Sequence, residues 1–133
     1  MKNEIKLPLN HIYFSYPRVN EHKIEEVLNL DGSGELFKEL LEIFTAEFLE
    51  KLPLLNLALD KENYIELSEI SHRLRSTSYN VGAIRIGEIL KKIEIDSLGR
   101  SDEIDKEELT LLISSLKIEQ EESLSELLAY SSN

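Results

Sequence analysis

The sequence predicts an all-α chain: an up-down antiparallel four-helix bundle with an additional short N-terminal helix. Three observations carry this. Past residue 20, apolar residues recur at spacings of three and four, the mark of helices with one buried stripe. No alternating apolar–polar run of useful length appears, and only 5 Gly and 3 Pro punctuate the chain. The breaks around residues 62, 81 and 100 leave short connections, which make sequential helices antiparallel neighbours.

Residues 1–19 hold two of the prolines, Pro8 and Pro17, and the aromatics Tyr13, Phe14 and Tyr16, without an amphipathic repeat. They read as an extended arm or irregular lead-in, its aromatics packed on the body in the favoured reading or anchoring something else in the other, ahead of a helical domain over residues 20–130. A short helix is expected over Glu21 to Asn29, ended by the turn signal Asp31-Gly32-Ser33-Gly34. A long one follows from Glu35 to Lys61, with Leu36, Leu40, Ile43/Phe44, Phe48 and Leu52 as its buried stripe. Pro53 falls inside it and is expected to kink or restart it. Asn63 is placed to cap the next helix, Tyr64 to Asn80. Gly82 separates that from a helix over Ala83 to Leu98, which Gly99 stops. The last is expected to be capped by Ser101 or Asp102 and to reach Ala129, with Leu109, Leu112, Leu116, Leu124 and Leu127 inward.

With 133 residues the chain suits one domain and one core. Fifteen Lys and Arg against 26 Asp and Glu give a net charge of −11, which argues against nucleic acid and anionic membranes as partners. There is no Cys, so disulfides, thiol catalysis and Cys-ligated zinc are excluded. No signal-peptide core occurs in Met1 to Pro17 and no apolar run has the length of a membrane span, so a cytoplasmic location is expected.

One stretch departs from generic bundle sequence: Ile70-Ser71-His72-Arg73-Leu74-Arg75-Ser76-Thr77-Ser78-Tyr79-Asn80-Val81-Gly82-Ala83. At about 100° per residue from Leu67, the residues Ile70, Ser71, Leu74, Ser78 and Val81 fall within about 60° of one direction, the core side. His72 comes out about 140° away and is displayed at the surface. Ser68 and Ser76, four residues to either side, flank it with small side chains. Ile65 and Tyr79 give the stripe apolar ends, and Glu69 lies on the same surface. Arg75, three residues on, reaches beside the imidazole. A phosphoryl-accepting histidine wants this setting: low flanks for an in-line approach, and a cation to offset the roughly −2 charge of the arriving group. Neutral imidazole needs no general base, since its free lone pair is available at pH 7. The residues alone also fit an idle surface histidine.

The segment from His72 to Ala83 resembles the signature of histidine phosphotransfer (HPt) domains, H-x-L-K-G-S-S-x-x-x-G-A. In that resemblance His72 matches the phosphorylated histidine and Leu74 the core leucine. Thr77 and Ser78 match the paired small hydroxyl positions, and Gly82-Ala83 the turn into the next helix. The likeness extends over residues 20–129, with its specificity in these dozen residues. It implies a bundle that accepts a phosphoryl group on His72 Nε2 from a receiver-domain aspartate and passes it to another receiver. The implied partners are receiver domains of a hybrid histidine kinase and a response regulator, and the Mg²⁺ belongs to the receiver, with no cofactor in this chain. Arg75 replaces the usual Lys and Ser76 the usual Gly. The first keeps the charge but exchanges a compact ammonium for a planar fork; the second adds a hydroxyl near the ring. That serine keeps open a second reading, a helical adaptor that docks receiver or kinase domains without relaying phosphate.

Other chemistry is poorly supported. His11 and His22 lack the setting of His72, and Glu69 to His72 is a lone Glu-x-x-His without the second copy that a di-metal bundle needs. No Gly-rich phosphate loop is present, so ATP binding and autonomous kinase activity are not expected; the resemblance implies a phosphoryl carrier. Glu119, Glu121 and Glu122 read as a solvated face, and the short loops favour a monomer.

Overall fold

The computed structural model describes residues 15–100 and 102–131. These form five helices: α1 Glu21–Asp31, α2 Glu35–Asp60, α3 Tyr64–Asn80, α4 Ile84–Ser97 and α5 Lys106–Ser131. No strand occurs among them. Helices α2 to α5 pack each on the next, and α5 closes back on α2, so the four make the up-down bundle and α1 lies against α2. The core is mainly apolar, with Phe37, Phe44, Leu55, Leu67, Leu74, Ile86, Leu90, Ile93, Leu109 and Leu116 fully buried, and buries a few serines and the Arg85–Glu119 pair with them. Phe44 and Phe48 meet edge to face, with centroids 5.2 Å apart.

Local chemistry sets the ends. Asn63 caps α3 as expected, its side chain accepting from Glu66 N at 3.2 Å while its amide donates to the Glu66 carboxylate at 3.0 Å. Between α1 and α2 the Asp31 carboxylate accepts from the backbone N–H groups of Ser33, Gly34 and Leu36. It thereby supplies the cap that Gly34, at the head of α2, cannot.

Several boundaries differ from expectation. Helix α1 runs two residues further, to Asp31. Helix α2 is unbroken through Pro53, so no restart occurs. Pro53 and Leu49, whose carbonyl it deprives of a donor, are both exposed, so the unpaired carbonyl lies on the solvent side of the helix. The buried stripe of α2 is Phe37, Leu41, Phe44, Phe48, Leu55 and Leu59, while Leu36, Leu40 and Leu52 are half-buried and Ile43 is exposed. Helix α5 begins at Lys106, with Asp105 as its cap: the Asp105 carboxylate accepts from Glu108 N at 3.1 Å. Asp102 lies outside the helix and pairs with Arg100, and Ser101 lies outside the described residues.

Of the N-terminal arm, Tyr13 and Phe14 lie outside the described residues. Residues 15–19 are non-helical and tied to the bundle by charge. Arg85 Nε donates to the Tyr16 carbonyl at 2.9 Å, and Arg18 pairs with Glu119, Glu122 and Glu126 on α5. Glu119 is 8% exposed and also meets Arg85, so it is a buried ion-pair partner and not part of a solvated face.

The α3–α4 turn is tightly specified. Gly82 has φ +83°, and Asn20 N donates to its carbonyl at 2.8 Å. A Cβ there would stand 3.1 Å from Ile24 Cγ1 and 3.2 Å from the Asn20 carbonyl. Only glycine satisfies both the left-handed backbone and this close approach.

Candidate functional site

Helix α3 packs between α2 and α4, burying Leu67, Ser68, Ser71, Leu74 and Ser78. Ser78 uses its hydroxyl internally, donating to the Leu74 carbonyl at 2.8 Å. His72 lies on the other side, its side chain 58% exposed. Ile65, Glu69 and Ser76 are exposed with it.

Two expected neighbours sit differently. Ser68 is 5% exposed, so it is core and cannot touch a partner directly. It lies about 100° from Leu67, and a helix held between two neighbours buries a wider arc than one stripe. Tyr79 is half-buried and offers no open apolar end. Its ring lies against Gly87 on α4, where any Cβ would overlap it, and its hydroxyl donates to Glu88 Oε2 at 2.5 Å.

The structure adds a residue to the site. Glu94, on α4, places Oε2 2.9 Å from His72 Nδ1 and Oε1 2.9 Å from Arg75 Nε. Arg75 Nη2 also lies 3.0 Å from His72 Nδ1. Glu94 and Arg75 are 17% and 24% exposed at their side chains, so a covered ion pair supports a displayed imidazole. A carboxylate only accepts, whereas a guanidinium only donates, so the two contacts to Nδ1 ask for opposite tautomers. Arg75 already has Glu94 Oε1 as its acceptor, whereas Glu94 Oε2 finds its donor only in Nδ1–H, so the tautomer with the proton on Nδ1 gives each group a partner. Nε2 then carries the free lone pair on the exposed edge, ready to attack an electrophile brought from outside.

The family model for the Hpt domain matches residues 39–129, more than half of the chain, from within α2 to the last turns of α5. The chain belongs to the Hpt domain family. That membership makes it a histidine phosphotransfer module of the phosphorelay type, a phosphocarrier and not a kinase, whose interaction partners are receiver domains. No curated protein and no solved structure gives a significant match.

Other surfaces of this Hpt domain are less equipped for chemistry. Among the described residues no three His, Asp or Glu side chains converge on a cation site, and no helix is long and apolar enough to cross a membrane. An open groove of about 660 Å³ between α2 and α5, lined by Phe48, Leu49, Leu52 and Lys117 among others, lies across the bundle from His72.

Glu94 had a readable signal. The turn near residue 83 lies midway between 72 and 94, and also midway between 79 and 87. An antiparallel hairpin pairs residues equidistant from its turn, so the Asn80–Ala83 break already points His72 at Glu94.

Proposed function

We propose that this Hpt domain is a phosphorelay intermediate that accepts a phosphoryl group on His72 and passes it on. The donor is an aspartyl phosphate of one receiver domain, as of a hybrid kinase, and the acceptor is the aspartate of another, as of a response regulator. The observation that carries the reading is the Glu94–His72–Arg75 arrangement around one exposed ring nitrogen.

Nε2 attacks phosphorus in line; a new N–P bond forms as the P–O bond to the receiver's aspartate breaks. The aspartate leaves as carboxylate, so no proton need be removed from the histidine. The ring gains positive charge while Nδ1 keeps its proton, and Glu94 stabilises that charge through the same hydrogen bond. Arg75 faces the incoming dianion from three residues away and offsets it. The Mg²⁺ of the reaction belongs to the receiver. Ile65, Glu69 and Ser76 form the rim that the receiver meets. The reverse reaction uses the same groups. The reading includes a monomer working in the cytoplasm, where receiver domains are found.

The test is transfer from a radiolabelled, phosphorylated receiver, scored as acid-labile, alkali-stable label. Wild type is expected to take label, and His72→Gln to take none while keeping its helicity. Equal labelling of both removes His72 from the role. Binding by several receivers without any label would instead assign the adaptor role, with Ser76→Gly as the variant that restores clearance.

A further inference from the structure

On α3, Tyr79 lies four residues after Arg75 and so stands over the same face. Its ring lies on the bare backbone of Gly87, and its hydroxyl is bonded to Glu88. A glycine inside a helix is less favourable than alanine, and here the space that a Cβ would take is occupied by an aromatic ring from α3. The hydroxyl is held above its usual ionisation range by burial first and then by Glu88, while Arg75 opposes that rise. It therefore sits between a carboxylate and a guanidinium. Helix α4 thus offers two carboxylates to this region, Glu88 and Glu94, and Arg75 is bonded to Glu94.

We propose that Tyr79 is a positioning residue: seated on Gly87, it keeps Glu88 engaged through its hydroxyl and so holds Arg75 on Glu94, beside His72. The inference rests on the phosphoacceptor reading of His72. Its physical content is a competition. Without the hydroxyl, Glu88 gains an unoccupied carboxylate oxygen and draws Arg75 away from Glu94. The ring of Phe would still fill the seat on Gly87, so packing is retained while the competition is released.

The experiment uses the full chain, with phosphoramidate as a small phosphoryl donor that needs no receiver. Nε2 forms an N–P bond as the donor's N–P bond breaks and ammonia leaves. Two quantities are read: the rate of His72 phosphorylation, and solvent exchange of the Arg75 Nε–H by NMR. Tyr79→Phe is expected to slow the first by about fivefold, the worth of one hydrogen bond, and to speed the second. Adding Glu88→Gln to Tyr79→Phe is expected to restore both, which a merely structural role for the ring would not do. Gly87→Ala, which displaces the ring, should speed Nε–H exchange as well; if that variant does not fold, the Tyr79→Phe and Glu88→Gln pair carries the test. Unchanged Nε–H exchange in Tyr79→Phe, or no rescue by Glu88→Gln, overturns the inference. Should wild type take no phosphoryl group on His72, the phosphoacceptor reading fails by itself, while Nε–H exchange still decides what Tyr79 does to Arg75.

Discussion

Glu94 Oε2 stands 2.9 Å from His72 Nδ1, although 22 residues and a helical turn-around separate them in the chain. That contact decides which nitrogen is free. Replacing Glu94 with Gln keeps an acceptor for Nδ1–H but removes the negative charge, and it confronts Arg75 with an amide instead of a carboxylate. Phosphorylation of His72 is expected to fall about tenfold, since a charge-assisted bond is roughly twice as strong as a neutral one. Initial rates of labelling check this, and ¹⁵N shifts of the imidazole should show the Nδ1–H tautomer less populated in the variant. An unchanged rate would mean that Glu94 shapes the site without contributing to transfer.

Gly82 controls the register that brings these residues together. Gly82→Ala must hold an alanine at φ +83° and press a methyl against Ile24 and the Asn20 carbonyl. Destabilisation of about 1–3 kcal/mol is expected from the backbone strain alone. Urea unfolding measures it. The Asn20 to Gly82 hydrogen bond would loosen as well, so amide exchange at Asn20 should rise in the variant.

Much of this molecule was legible in its sequence, and the misses have identifiable causes. Helix α3 was readable to its ends because Asn63 has a capping side chain and Gly82 a required conformation. Phe44 and Phe48 in the stripe of α2 were placed correctly, but its first two turns came out one residue displaced because Leu36 and Phe37, and Leu40 and Leu41, offer two apolar frames side by side. Packing against α3 on one side and α5 on the other selects between them. Ser68 and Tyr79 were misplaced for a related reason: periodicity locates the centre of a buried arc but not its width. Glu119 escaped because it is defined by a partner on another helix, Arg85, and is an ordinary polar position until the helices are docked. Glu94 was within reach, since residues 72 and 94 lie equidistant from the turn at residue 83, but its bond to Arg75 shows only in the docked helices.

Glu119 tests the cost of such a partner. Its side chain and that of Arg85 are each 10% exposed, and Arg18 reaches the same carboxylate. Glu119→Ala takes the anion from two guanidinium groups, one of them buried, and is expected to cost about 3 kcal/mol. Glu121→Ala, two residues on and exposed, should stay within about 0.5 kcal/mol. Thermal or urea unfolding of the two variants side by side decides the matter. Equal stabilities would return Glu119 to the solvated face.

Asp31 supplies a pH dependence with a definite sign. Its carboxyl is held below the ordinary value of 3.8, chiefly by the backbone N–H of Leu36, with Ser33 and Gly34 adding to it. These donors belong to the head of α2, where an anion also meets the positive end of the helix dipole. A group whose folded value lies below its unfolded value binds protons more readily when unfolded, so it stabilises the fold where it is ionised. The ionic contribution is therefore complete above the unfolded value, near 3.8, and is lost as pH falls through the lower folded value. Asp31→Ala should be less stable than wild type at pH 7, and the gap should narrow at the acid end of the range. Urea unfolding of both proteins at pH 7 and near pH 3 measures that gap. A difference that stays constant with pH would assign the effect to hydrogen bonding by the carboxyl in either protonation state, and not to its charge.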